Sequence, residues 1–336
     1  MERSLLLAPA SLRPMEARLA DALPCGPEWQ FEPKWDGFRC LVFKAGNDVD
    51  LRAKSGKPLG RYFPEVVEAL ARLGDSRFIV DGELVIEADE KLSFDALQMR
   101  LHPAASRVTR LAKETPARLM LFDILQSCGH SLMDLPLSNR RDRLEDLLRA
   151  IGRTRTFRLS PMTHDRKRAL QWLSGAAMGT DGVVAKRRDG AYEPGERAMI
   201  KVKRIRTADC VVGGFRYASK SRQVGSLLLG LYDRAGLLHH IGFTSSIAKS
   251  DRGALTKKLE ARRKAPGFTG RAPGGPSRWS TERSPEWEPL RPDIVVEVQY
   301  DHVTGGRFRH GTKFLRWRPD KEPKQCRFEQ IGLPDV

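Results

Sequence analysis

Along the first two thirds of the chain, short apolar or alternating runs bounded by turn residues recur at 38–44, 49–53, 78–87, 117–125 and 180–187, and each predicts a strand. Helical spacing falls between them. Residues 65–73 follow Pro64, residues 94–99 follow Ser93 as an N-cap, residues 139–151 carry Leu144, Leu147, Leu148 and Ile151 on one stripe, and 165–175 make a further helix. The proline-punctuated stretch 1–30 predicts a short helix near 15–22. Asp36-Gly37, with Phe31 before it and Phe38, Leu41, Val42 and Phe43 after it, predicts a hairpin, because a type I′ turn needs positive φ at both central residues. Strands that do not alternate strictly with helices argue for α+β rather than a doubly wound sheet.

The pattern changes near Arg204. Strands are predicted at 210–217, 226–233, 237–243 and 294–300, a basic helix at 250–264, and a Pro/Gly loop at 266–276 within a segment, 266–289, that approaches low complexity. Several short strands with one helix suit a small β-barrel of the OB type. The expected domains are therefore 1–204 and 205–336, the shorter being the more basic.

Charge adds what the pattern cannot. The chain of 336 residues holds 59 Lys+Arg against 42 Asp+Glu, a formal net charge of +17, which calls for a polyanionic partner, most often nucleic acid. No apolar run approaches the roughly 18 residues needed to span a bilayer, so no membrane role is expected. Leu5-Leu6-Leu7, soon followed by Pro9, Pro14 and Glu16, is too short for a secretory segment. Cys25, Cys40, Cys128, Cys210 and Cys326 are widely spaced without a Cys-x-x-Cys pair, as in a reducing cytoplasm, and predict no structural zinc. His239-His240 is a lone doublet read as strand or loop. A metal acting here should be a hard cation held by carboxylates and phosphates.

Candidate chemistry centres on Lys34 in Glu32-Pro33-Lys34-Trp35-Asp36-Gly37-Phe38-Arg39. An ordinary lysine is protonated at neutral pH, an activation deficit of roughly 4 kcal/mol, so a nucleophilic one needs neighbouring cations or desolvation. Lys201-Val202-Lys203 aims two ammonium groups at one strand face and can supply those cations and receive a triphosphate. Glu32 shares a strand face with Lys34. Asp81-Gly82-Glu83 and Asp181-Gly182-Val183-Val184-Ala185-Lys186 set acids at the mouths of apolar strands, as ordinary turn chemistry also does, and Phe122-Asp123 sits in a buried-type run. Neither a P-loop nor a Gly-x-Gly-x-x-Gly loop is present.

In this order, Lys34-x-Asp-Gly-x-Arg39, Leu51-Arg52-Ala53-Lys54-Ser55-Gly56, Asp81-Gly82-Glu83, Phe122-Asp123, Asp181 to Lys186, Lys201-Val202-Lys203 and Arg318-Pro319-Asp320-Lys321 resemble the successive signatures of the covalent nucleotidyltransferases, the polynucleotide ligases and mRNA capping enzymes. Leu101-His102-Pro103-Ala104-Ala105-Ser106, Arg206-Thr207-Ala208-Asp209-Cys210-Val211-Val212 and Gly225-Ser226-Leu227-Leu228-Leu229-Gly230-Leu231-Tyr232 narrow the resemblance to bacterial ATP-dependent ligases of the ligase C type, over residues 8–332. The resemblance implies an α+β nucleotidyltransferase (adenylation) domain of antiparallel sheets and helices, followed by a C-terminal OB-fold barrel.

It also implies roles. Lys34 would attack the α-phosphate of ATP, Glu32 read the adenine edge, Phe122 stack on the base, and Arg39 and Glu83 hold the ribose. Asp181, with Glu83, would bind Mg2+, Mn2+ being the alternative. Lys201 and Lys203 would meet the α-phosphate, Lys186 lie in the phosphate-binding strand, and Arg318 and Lys321 orient the pyrophosphate. Two departures stand out: Asp181 replaces the family's usual glutamate, and Lys54 replaces an arginine whose work Arg52 can share. The implied substrate is nicked duplex DNA, held through sequence-independent phosphate contacts by a monomer in the bacterial cytoplasm, at the nucleoid, beside a repair polymerase or end-binding protein. No nicotinamide-binding domain or four-cysteine module points to NAD instead. RNA joining or capping, and nucleic-acid binding without catalysis, are the alternatives.

Overall fold

The computed structural model describes residues 12–88, 91–152, 154–174, 180–219, 221–274 and 286–333. Leu5-Leu6-Leu7 and residues 275–285 of the long loop lie outside them. The chain forms two compact units, Met1–Arg204 and Ile205–Val336.

Strands of the first unit are β1 (Ala17–Leu19), β2 (Trp29–Lys34), β3 (Phe38–Ala45), β4 (Asp48–Ala53), β5 (Arg77–Val85), a small ladder of β6 (Glu87–Ala88) and β7 (Lys91–Leu92), β8 (Arg118–Ser127), β9 (His130–Ser131), β10 (Phe157–Leu159), β11 (Gly182–Arg187) and β12 (Met199–Lys203). Helices are α1 (Pro64–Ala71), α2 (Phe94–Met99), α3 (Ala105–Glu114), α4 (Leu137–Ile151) and α5 (Arg166–Ser174). Two sheets result, ordered β1-β12-β11-β2 and β10-β8-β5-β3-β4. They are antiparallel except where β1 meets β12 and β10 meets β8.

The nearly unbroken apolar run of β3 follows from burial on both faces. Cys40 and Val42 join Phe63, Val66, Leu70 and Leu144 on the side of α1 and α4, while Leu41 and Phe43 meet Ile79, Leu125, Met15 and Met199 between the sheets. Phe31, Val183, Ala185, Ile200 and Val202 cover the outer face of the small sheet together with Ala169 of α5. Ser93 caps α2 as expected, accepting from the Ala96 N–H at 3.1 Å.

Two local expectations are corrected. Residues 15–22 are not helical: Ala17 pairs with Met199, and the Glu16 N–H donates to the Glu196 carbonyl at 2.7 Å, because a stretch too short to sustain a helix gains ladder bonds at an open sheet edge. Asp36-Gly37 is not a hairpin turn either, since β2 and β3 belong to different sheets. Gly37 has no positive φ; a Cβ there would lie 2.1 Å from the Leu84 carbonyl oxygen, so glycine serves close approach to β5. α3 and β10 have no counterpart among the predicted elements.

In the second unit, β13 (Arg206–Tyr217), β14 (Val224–Tyr232), β15 (Leu238–Thr244), β17 (Val295–Tyr300) and β20 (Lys313–Trp317) run in the order β15-β14-β13-β17-β20, with β16 (Glu288–Pro289) on β13 and a hairpin of β18 (Val303–Thr304) and β19 (Arg307–Phe308). A bridge between Thr244 and Thr312 joins the end of β15 to the entry of β20 and closes the barrel. α6 (Arg252–Glu260), shorter than predicted, lies between β15 and β17. Val212, Phe215, Leu227, Leu229, Val296 and Phe328 fill the interior. This is the OB arrangement.

Candidate active site

A cavity of about 240 Å³ opens between the sheets of the first unit. Strand alternation largely decides who faces it: Glu32 and Lys34 of β2, Val184 and Lys186 of β11, and Met199 and Lys201 of β12 line it, while Phe31, Val183, Ala185, Ile200 and Val202 turn toward α5. Arg39, Glu83 and Phe122 come from the facing sheet, Lys54 follows β4, and Pro14, Met15 and Glu16 lead into β1.

Lys34 ends β2 opposite Gly182, and its carbonyl accepts from the Asp181 N–H at 2.8 Å. Its Nζ donates to Asp181 Oδ2 at 2.7 Å. Gly182 makes this possible, because with φ of +148° a Cβ there would lie 2.1 Å from the Val202 carbonyl oxygen. Glu32 is 2% exposed and held from both sides, by Lys186 Nζ at 2.9 Å and by Gln30 Nε2 at 2.9 Å. Phe122 has two cations against its ring, Lys186 Nζ at 4.5 Å and Arg39 Cζ at 4.6 Å from the centroid.

Arg39 belongs to a closed ring of contacts. Its guanidinium makes two bonds of 2.6 Å to Asp81, which is fully buried and also accepts from the Tyr192 hydroxyl at 2.6 Å. That hydroxyl accepts from the Met15 N–H at 3.0 Å, and Arg39 donates to the Met15 carbonyl at 3.2 Å. The segment entering β1 is thereby fastened to β3 and β5.

Burial opposes the charge on Arg39, but Asp81 more than restores it, and its pKa rises. Burial pushes the Glu83 carboxyl up to about 7, against the pull of Arg39 and Lys34. Lys201 is pushed down by burial, then by Lys34, Lys54 and Lys203. Glu16 is held low chiefly by Lys54, whose Nζ lies 2.8 Å away.

One cavity therefore collects Glu32, Lys34, Arg39, Lys54, Glu83, Phe122, Lys186 and Lys201. Asp181 joins through Lys34. Lys203 continues the Lys201 face of β12 in register with Gly182 but does not line the cavity. Arg52 pairs with Asp50 at 2.7 Å and does not line it either. Arg318, bound to Asp209 at 2.8 Å and to Asp320, and Lys321 belong to the second unit. Sequence reasoning missed Met15, Glu16, Val184, Met199 and the Asp81–Tyr192 pair. Val184 and Met199 were open to it, each standing two residues from a lysine already singled out; Tyr192 carries no local signal.

Comparison with known proteins agrees with the motif order. Residues 14–203 match the family described as ATP dependent DNA ligase domain, and residues 220–321 match the ATP dependent DNA ligase C terminal region. The chain is 42% identical over 335 residues to DNA ligase C1 of Mycolicibacterium smegmatis, covering 96% of this chain and 94% of that one. It is 29% identical over 306 residues to the multifunctional non-homologous end joining DNA repair protein LigD of Mycobacterium tuberculosis, covering 89% of this chain and 37% of that one. The solved ligase domain of M. tuberculosis LigD superposes with a TM-score of 0.51 at 27% identity, covering 94% of this chain and 98% of that one. This chain belongs to the ATP-dependent DNA ligases.

Proposed function

We propose that the chain seals 5′-phosphate/3′-hydroxyl nicks in duplex DNA by three nucleotidyl transfers, with Lys34 as the nucleophile. The observation that carries this reading is a lysine amine at the edge of a cavity that also gathers a buried carboxylate, an aromatic ring and further cations. In the first transfer a bond forms between Lys34 Nζ and the α-phosphorus of ATP, and the bond from that phosphorus to the bridging oxygen breaks, releasing pyrophosphate. The 5′-phosphate of the nick then displaces Lys34, forming DNA-adenylate. Attack of the 3′-hydroxyl on that 5′-phosphate closes the backbone and releases AMP.

Each side chain is assigned a task, and for those that line the cavity their position supports it. Glu32, fixed by Lys186 and Gln30, offers carboxylate oxygens to the adenine amino group. Phe122 stacks on the base, and Arg39 and Glu83 take the ribose. Lys201 and Lys203 meet the charge that builds on the α-phosphate, Lys201 being held below its ordinary pKa by burial and then by Lys34. Lys54 takes a phosphate oxygen once released from Glu16, and Arg318 and Lys321 orient the leaving pyrophosphate.

Among the described residues no group of three His, Cys, Asp or Glu side chains could cage a metal alone. Asp181 and Glu83, the two carboxylates that interact with Lys34, fit a hard cation that takes its remaining ligands from phosphate and water. Bound there, Mg2+ or Mn2+ would supply positive charge against the phosphates. A monomer acting in repair at the nucleoid, alongside a repair polymerase or end-binding protein, completes the proposal; likeness to the LigD ligase domain supports the repair role.

The test incubates the protein with α-labelled ATP and Mg2+, then with nicked duplex; labelled GTP and RNA ends run in parallel. Label should attach at Lys34 and vanish in Lys34→Ala. Label persisting in that variant would sink the assignment.

A further inference from the structure

The cavity of the first unit holds a carboxylate to which the proposed reaction gives no task. Glu16 lines it together with Lys34, Lys54 and Lys201, cations that are to receive phosphate, so its negative charge opposes the ligand. Its Oε2 lies 2.8 Å from Lys54 Nζ and 4.0 Å from Arg197 Nε, and its charge also bears on Lys201. The Glu16 side chain is 28% exposed and that of Lys54 58%, so a ligand arriving from solvent can part the pair.

Backbone bonds fix where this carboxylate is carried. The Glu16 N–H donates to the Glu196 carbonyl at 2.7 Å, and the Glu16 carbonyl accepts from the Met199 N–H at 3.1 Å. Met15, beside it, is held by Tyr192 and Arg39. None of these bonds uses the Glu16 side chain, and an ion pair as exposed as Glu16–Lys54 contributes little to folding. Its effect falls on the ligand instead. Lys54 already has an anion, so a phosphate group gains Lys54 only by returning Glu16 to water.

We propose that Glu16 is a specificity-determining residue of the nucleotide cavity, a resident anion that occupies Lys54 until a ligand with a polyphosphate tail displaces it. The proposal rests on the ligase reading for its ligand and adds what selects that ligand: the further phosphates of ATP offset the exchange, whereas adenosine brings no charge to drive it. Once pyrophosphate has left, Glu16 retakes Lys54 and opposes return of the leaving group.

The test follows Lys34 labelling of the full chain by α-labelled ATP and Mg2+, with inorganic pyrophosphate and adenosine as probes. E16Q keeps a hydrogen-bonding partner for Lys54 and loses the charge. Half-maximal labelling should then need about fivefold less ATP, on the order of one close charge contact in water. Pyrophosphate should strip the label at about fivefold lower concentration, its oxygen attacking the phosphorus as the bond to Lys34 Nζ breaks and ATP reforms. Half-inhibition by adenosine should not move, and high salt should close the gap between E16Q and the parent. In a K54Q background E16Q should lose its effect, since no Lys54 cation remains to be freed. An E16Q protein with the parent's dependence on ATP and pyrophosphate overturns the proposal, as does a gain that persists beside K54Q. An equal shift with adenosine, or a lowered melting temperature, would show that the side chain serves the shape of the entry segment and would overturn it too. Failure of the unaltered chain to label at Lys34 would refute the ligase reading itself, whereas unchanged nucleotide dependence in a labelling-competent E16Q refutes only the role of Glu16.

Discussion

Tyr192→Phe isolates the ring of contacts that fastens the cavity's entry segment. The phenol is 4% exposed, and burial together with Asp81 raises its pKa, so it stays a donor at any working pH. Phenylalanine keeps the ring and its packing and deletes two bonds, the 2.6 Å donation to Asp81 and the 3.0 Å acceptance from the Met15 N–H. A hydrogen bond to a charged group is worth about 1.5–3 kcal/mol. Asp81 keeps both bonds from Arg39, so the loss falls at the lower end, about 2 kcal/mol. Asp81→Asn should cost more, about 3–5 kcal/mol, because it strips the charge that balances a buried guanidinium. Amide exchange in β3 and β5 reads the opening of this unit without interference from the barrel. Freed from Tyr192, Met15 must be reordered by the nucleotide, so half-maximal Lys34 labelling should need up to about tenfold more ATP, the equivalent of ~1.4 kcal/mol. The maximal labelling rate should change little, since Lys34 ends β2 and Asp181 leads into β11, both in the other sheet. A variant matching the parent in exchange and in ATP dependence, or one slower only at saturation, would refute the reasoning.

Three further outcomes are expected. Lys34 labelling should fall as pH drops through about 7, because the proposed metal and ribose contacts need ionised Glu83, and E83Q should lose that inflection; a pH profile of labelling rate decides it. Folding stability responds oppositely to this group: the native carboxyl binds a proton between the ordinary glutamate value of 4.5 and about 7 that the unfolded one has released, so Glu83 costs stability as pH rises through that window. His240 titrates at about 3 in the fold against 6.5 for an unperturbed imidazole, so the unfolded chain binds the extra proton; the barrel should lose about 1.4 kcal/mol per pH unit below 6.5, and H240L should flatten that slope in denaturant titrations. Gly37→Ala should cost about 3 kcal/mol or more, seen as faster exchange in β3 and β5, because its Cβ would meet a backbone oxygen that cannot move aside; wild-type exchange would disprove the close approach.

Local pattern carried much of the secondary structure. Ser93 and Pro64 announced α2 and α1, and apolar alternation marked β3, β5, β8 and β11. Pairing was another matter. Asp36-Gly37 carries a hairpin signal, yet β2 crosses to another sheet, since nothing within a window of ten residues reports that Lys34 will meet Asp181, 147 residues on. Residues 15–22 fail for the same reason, their partner being the distant β12. At the site, the charged residues stood out by type and spacing, whereas Tyr192 acts only through a buried carboxylate that folding brings to it.

The pairing of β1 with β12 sets an order in time. During synthesis Lys34 emerges early, while Asp181, Lys186 and Lys201 do not yet exist. A chain halted before β11 contains every strand of the larger sheet, which ends with Phe157–Leu159, yet lacks Asp181, the carboxylate that hydrogen-bonds Lys34, and most of the second wall of the cavity. Long-range closure of this kind is slow compared with local folding. On the proposed reading, reactivity at Lys34 thus arrives only with β12, the last strand of the first unit.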